Sequence, residues 1–88
     1  MTQQKYYLSK QKYDEFVSEL EELCTAKRKD IADALEYARS LGDISENAEF
    51  QEAREAQANL EERIATLKGI IRSAEIIKEH HKIGRAHV

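Results

Sequence analysis

Leu41-Gly42-Asp43-Ile44-Ser45 is the one strong loop signal in the chain, and its position decides the fold. From Ser9 to Arg39 on its N-terminal side, no Gly or Pro interrupts a run of good helix formers. Gly42 suits the left-handed conformation that closes a helix, and Asp43 or Ser45 suits the cap of the next. A second helical run then extends from about Glu46 to about Lys78. Gly69 within it is expected to weaken the helix by about 1 kcal/mol relative to Ala, without ending it.

Hydrophobic periodicity extends the pattern outward from this break. Phe50, Gln57, Ile64 and Ile71 recur every seven residues, with Ala53, Leu60, Leu67 and Ala74 as the companion row. Such a row pair is the seam of a coiled coil. In the first run, Tyr13, Phe16, Leu20 and Leu23 begin a matching seam, which shifts phase to Ile31, Leu35 and Ala38. A shift of this kind is expected to change the supercoil locally. A short loop between two long amphipathic helices makes them antiparallel neighbours. The expected fold is therefore all-α, an antiparallel two-helix coiled-coil hairpin. Helices span about 9–40 and about 46–78, and the acidic tip spans 41–45. Small residues (Ala38, Ala48 and Ala53) let the helices approach closely near the turn, while bulkier side chains fill the open end.

Composition excludes several classes of function. The chain has 88 residues, 35% of them charged, with no Pro, no Trp and three Gly. So short and charged a chain does not enclose an active site within a large core. A single cysteine, Cys24, rules out a disulfide framework and a cysteine-based zinc site. It is expected to act as a small buried hydrophobe. No apolar run approaches the roughly 18–20 residues that cross a bilayer. The opening MTQQKYYLSK has no apolar stretch, and with one free thiol this makes the cytoplasm the expected compartment. Net charge is −3, from 17 acidic and 14 basic residues interspersed in sign, unlike a protein held chiefly by phosphate backbone.

The tip is the place for chemistry. Asp43, Glu46, Glu49 and Glu52 crowd it, with no basic residue between Gly42 and Arg54. By spacing alone two readings stand. Asp43 and Glu46 suit an Asp version of a capping box, favoured by the helix macrodipole. Spacing favours that reading; the alternative is that two carboxylates at an apex share a hard cation such as Mg²⁺, which takes one or two carboxylates and completes its shell elsewhere. Two exposed carboxylates hold it only beside another metal or phosphate site. Architecture alone favours a spacer between two partners over a probe that reaches into a cleft.

The segment Ala38-Arg39-Ser40-Leu41-Gly42-Asp43-Ile44-Ser45-Glu46-Asn47-Ala48-Glu49-Phe50 closely resembles the signature of the bacterial Gre transcript-cleavage factors, of the form AR..GDLSENAEY. The similarity continues through Ala53 to Gln57, Glu62 to Ile64 and Ala74 to Ile77. Upstream it includes Leu20 to Leu23 and Arg28 to Ile31, so that it covers roughly residues 8 to 77. Ile44 in place of Leu and Phe50 in place of Tyr are mild departures, the second of which removes a hydroxyl near the tip. The resemblance implies a hairpin that enters the secondary channel of bacterial RNA polymerase in a backtracked, arrested complex. There Asp43 and Glu46 would help hold a second Mg²⁺, shared with the polymerase, near the nascent RNA 3′ end, and the polymerase would cut its own transcript. Gly42, Ser45, Asn47 and Glu49 would support the tip. Arg39 and Arg54, which bracket it, would meet nucleic acid or polymerase, or else form a solvated face. In this reading the chain is not itself an enzyme. The alternative is a coiled-coil module that occupies the channel, or another groove, without supporting cleavage.

Expectations for the rest are plainer. Tyr6, Tyr7 and Tyr13 are expected to pack at the open end. His80 and His81, adjacent in sequence, do not share a helix face and are not expected to bind metal. The family resembled continues into an FKBP-like second domain, absent from these 88 residues. Residues 80–88 are expected to form a tail, and Ile83-Gly84-Arg85-Ala86-His87-Val88 has the look of a translated library adapter, so 83–88 are expected to be non-native. The expectation is thus a fragment of a two-domain factor, with a stand-alone hairpin as the alternative. The hairpin itself, residues 1–79, is expected to be a monomer of modest stability.

Overall fold

The structure, a computed structural model, describes residues 5–77. The tail from 80, with His80, His81 and the segment 83–88, lies outside the described residues, as does Lys78. Two helical arms dominate. The first comprises α1 (Lys10–Glu22), a π-helical turn (Leu23–Lys27) and α2 (Arg28–Arg39). The second is a single long helix, α3 (Ala48–Ser73). A 3₁₀ turn, Ile44–Glu46, lies between them.

Each arm starts where a side chain satisfies a free backbone N–H. Ser9 caps α1, its Oγ accepting from the Lys12 amide at 3.1 Å. The arms then pair in opposite order along the chain. Arg63 donates through Nε and Nη2 to Glu19 at 3.0 and 3.2 Å. Arg28 does the same to Glu61 at 2.9 and 2.7 Å. Asn47 reaches Ala38 at the turn. Partners 63, 61 and 47 fall as 19, 28 and 38 rise, so the arms run antiparallel. The less exposed residues of the second arm include Phe50, Ala53, Gln57, Leu60, Ile64, Leu67 and Ile71 of the row pair read from periodicity, joined near its end by Gly69, Ile70 and Ser73. Leu67 and Ile64 are its most buried members, at 0% and 2% exposure.

The seam of the first arm is half-buried at Tyr13, Phe16, Leu20, Leu23 and Cys24, and again at Ile31 and Leu35, with every residue from Thr25 to Asp30 exposed. The phase shift coincides with the π turn. Leu23 and Ile31 are eight residues apart where a heptad seam has seven. A π turn holds the extra residue in one wide loop of the helix, so the apolar stripe turns back toward its partner at Ile31. Thr25 sits in this turn, its Oγ1 donating to the Glu21 carbonyl at 2.8 Å.

The all-α expectation is corrected at the open end. Tyr6–Ser9 forms β1 and Ala74–Ile77 forms β2, paired in parallel with Tyr6 opposite Ala74 and Leu8 opposite Ile76. The second helix accordingly ends at Ser73, five residues before the expected limit at Lys78, and Ala74 is already extended (φ −70°, ψ 141°). The physical reason is composition. Tyr6, Tyr7, Ile76 and Ile77 are aromatic or β-branched, suited to a pleated surface. Their pairing across the length of the chain outweighs one more turn of helix. Tyr7 does not pack inward as expected, being 66% exposed.

Candidate functional site

The turn is built from its backbone outward. The Leu41 amide bonds the Ala38 carbonyl at 3.0 Å, closing the first arm. Gly42 then takes φ +137°, the only positive φ among the described residues. Nothing would crowd a Cβ there, so glycine is required by backbone conformation and not by space. Asp43 caps the 3₁₀ turn. Its Oδ1 accepts from both the amide and the hydroxyl of Ser45, each at 3.1 Å. This differs from the expected capping box: Asp43 reaches two residues on, and it caps the 3₁₀ turn instead of the long helix.

The cap of α3 is Asn47. Its Oδ1 accepts from the Phe50 amide at 3.1 Å, and its Nδ2 donates to the Ala38 carbonyl at 2.7 Å. The residue is 9% exposed, the one buried polar side chain among the described residues. The second helix therefore begins at Ala48, and Glu46 lies in the 3₁₀ turn before it, not in its first turn.

Asp43 and Glu46 are brought together. With Leu41, Asn47, Ala48 and Glu49 they line one shallow, open depression of about 290 Å³ at the turn. The second oxygen of Asp43 and both oxygens of Glu46 make no hydrogen bond among the described residues. Carboxylate oxygens free in this way match the hard donors Mg²⁺ takes. Among the described residues no group of three or more His, Cys, Asp or Glu is placed to hold a metal ion. The turn thus offers a hard cation the carboxylates of Asp43 and Glu46 and no third ligand of these types among the described residues.

The remaining expected residues separate. Glu49 lies in the first turn of α3, where its charge suits the helix N-terminus. The Arg39 guanidinium lies 5.9 Å from the centroid of the Phe50 ring, a cation–π distance, and so is partly engaged within the chain. Arg54 is exposed on α3. Sequence reasoning missed two features. Leu41 and Ile44 are large apolar side chains left 51% and 43% exposed beside the acids. The Ala38 carbonyl is the acceptor that joins the arms. The first was in principle visible, since both flank Gly42 and Asp43 off either seam.

The profile of the family described as "Transcription elongation factor, N-terminal", common to GreA and GreB, matches residues 6–76. The chain belongs to this family of bacterial transcription elongation factors. Transcription elongation factor GreA of Clostridioides difficile (strain 630) is 46% identical over 74 residues, covering 84% of this chain and 46% of that protein. GreA of Bacillus velezensis (strain DSM 23117 / BGSC 10A6 / LMG 26770 / FZB42) is 51% identical over 61 residues, 69% of this chain and 39% of its own length. GreA of Chloroflexus aggregans (strain MD-66 / DSM 9485) is 46% identical over 79 residues, 90% of this chain and 50% of its own. The chain spans about half the length of the curated relatives it matches. Within the family match lie both arms, the turn and all but the last residue of β2. No helix among the described residues is long and apolar enough to cross a membrane.

Proposed function

We propose that this chain is the probe of a bacterial elongation factor that rescues arrested transcription. Its arms form a coiled-coil hairpin that enters the secondary channel of RNA polymerase in the cytoplasm as a monomer. The acidic turn then supports cleavage of the nascent RNA near its 3′ end by the polymerase itself. The observation that carries this is the shared placement of Asp43 and Glu46 on one open depression at the turn, with carboxylate oxygens uncommitted. Family membership supports it, and so do antiparallel arms that present the turn at one end of the molecule.

Asp43 is held through one oxygen by Ser45, which leaves the other to face outward. Glu46, one 3₁₀ turn on, adds a second carboxylate on the same depression. Both would hold Mg²⁺ jointly with the polymerase; the ion supplies activation of water and compensation of charge on the phosphodiester. The protein's own part is to carry negative charge to a fixed point and orient it. Gly42 and Asn47 shape the backbone beneath it.

The test is cleavage of purified arrested elongation complexes by the chain at saturating concentration. Asp43→Asn and Glu46→Gln preserve size and most hydrogen bonding but remove charge. Each is expected to reduce stimulated cleavage by at least about tenfold, equivalent to about 1.4 kcal/mol of transition-state stabilisation, while helicity and competition for the channel are unchanged. Amide variants as active as the parent would leave a channel-occupying module as the function.

A further inference from the structure

The one polar side chain buried in the described protein is the most informative feature outside the acids themselves. Asn47 is 9% exposed and both ends of its amide are committed. The oxygen accepts from Phe50 N–H on its own helix at 3.1 Å, and the nitrogen donates to the Ala38 carbonyl of the other arm at 2.7 Å. Its backbone is also engaged on both sides, the amide bonding the Ile44 carbonyl at 3.2 Å and the carbonyl accepting from Gln51 at 3.0 Å. Asn47 is thus the junction of the first arm's last turn, the 3₁₀ turn bearing Ser45 and Glu46, and the start of α3. A helix cap alone needs only an acceptor, which Asp, Ser or Thr also provide. The donor to Ala38, by contrast, is a property only an amide of this length offers.

We propose that Asn47 is the positioning residue of the acidic turn. By tying residue 38 to residue 47 across the arms, it sets the distance and direction from which the intervening loop springs, and so fixes where the Asp43 and Glu46 carboxylates point. This deepens the metal-assisting reading above and rests on it. The donated hydrogen bond is enclosed, flanked by Ala38 at 1% exposure and Phe50 at 6%. Water therefore does not readily replace it, and losing the donor leaves the Ala38 carbonyl only the Leu41 amide of its own arm, so that this tie between the arms is lost.

Asn47→Asp separates the two roles. The carboxylate still caps Phe50 N–H, favoured by the helix N-terminus, but it cannot donate and it faces the Ala38 carbonyl with negative charge. Two measurements on the full chain test the proposal. In the free protein, ¹⁵N relaxation of residues 42–46 is expected to fall from order parameters of about 0.85 toward 0.6 or below, while α3 beyond Phe50 is unchanged. With arrested elongation complexes at saturating factor, Asn47→Asp is expected to lower the stimulated cleavage rate at least about tenfold and to raise the Mg²⁺ concentration needed for half-maximal cleavage, with competition for the channel unaltered. Asn47→Ser, which lacks both the reach and the donor geometry, should match Asn47→Asp, whereas a residue acting only as a cap would have its function kept by both. Order parameters identical to the parent's in both variants would overturn the proposal, as would a mobile turn that still supports parental cleavage and Mg²⁺ dependence. Asp43→Asn is measured alongside. If it too retains full stimulation, the metal-assisting reading falls and the proposal's catalytic half with it. If Asp43→Asn is inactive while Asn47→Asp is parental, the positioning role alone fails.

Discussion

Gly42 and the Arg28–Glu61 pair show how single residues set the behaviour of this chain. Gly42→Ala introduces no clash, yet forces a side chain onto a positive φ. It is expected to cost on the order of 1–2 kcal/mol in urea unfolding, with the near-turn residues the first to lose amide protection. The Arg28 guanidinium, forked onto Glu61, holds that carboxyl below its ordinary range and is itself pushed above its own. The arginine remains charged at any workable pH, so Glu61 governs the titration. Its lowered value means the pair contributes above the unfolded carboxylate pKa and is lost as pH falls through the folded one. The thermal midpoints of the parent and Glu61→Gln are therefore expected to differ steadily above the ordinary carboxylate range and to converge as pH falls below it, and the gap should shrink in 1 M salt. The side chains are 43% and 45% exposed, so the gap is small, no more than a few degrees. The placement of Asp43 and Glu46 on the turn was legible in sequence because a glycine, two acids and the absence of bases are all local signals. The bond from Asn47 was not, because its acceptor is a backbone carbonyl nine residues earlier, on the opposite arm.

At the level of elements, the π turn makes an unusual demand on the chain. Deletion of Ala26 brings Leu23 and Ile31 to a seven-residue spacing and lets α1 and α2 join as one regular helix. It is expected to shift the thermal midpoint by only a few degrees. Deletion of Ala34, within regular α2, rotates everything on one side by about 100° and is expected to abolish cooperative unfolding. Circular dichroism on heating distinguishes the two. Leu67→Ala removes the most enclosed side chain of α3 and is expected to cost about 2–4 kcal/mol, much of the stability available to so slender a protein. Both seams could be read in advance, since a period near 3.5 is carried by every turn of a helix. The strands could not. Four residues of YYLS and four of AEII are too short to show a period, and their pairing joins the two ends of the described chain. The helical run expected to reach Lys78 took in Ile76 and Ile77, yet Ile76 pairs in a sheet with Leu8, 68 residues earlier.

For the molecule as a whole, narrowness sets the limits. The buried apolar residues among those described are Ala38, Phe50, Ala53, Ile64 and Leu67, two of them alanines. Sedimentation equilibrium is expected to find a monomer at micromolar concentration, and a tight dimer would mean that the exposed Tyr7, Ile76 and Ile77 take a partner copy. The parallel pair of strands joins the start of one arm to the finish of the other at the end remote from Asp43. Because the arms are antiparallel, parallel strands cannot both simply prolong the axes of their helices, so the chain bends at this junction. Mechanically, that makes it the fulcrum of a lever. The 26 residues of α3 measure about 39 Å at 1.5 Å each, so a tilt of about 5° at the fulcrum swings the carboxylates by about 3 Å. The shared-site chemistry proposed for the turn would tolerate displacement of only about 1 Å. Aim at the acidic end is therefore decided in good part by the stiffness of eight residues at the other.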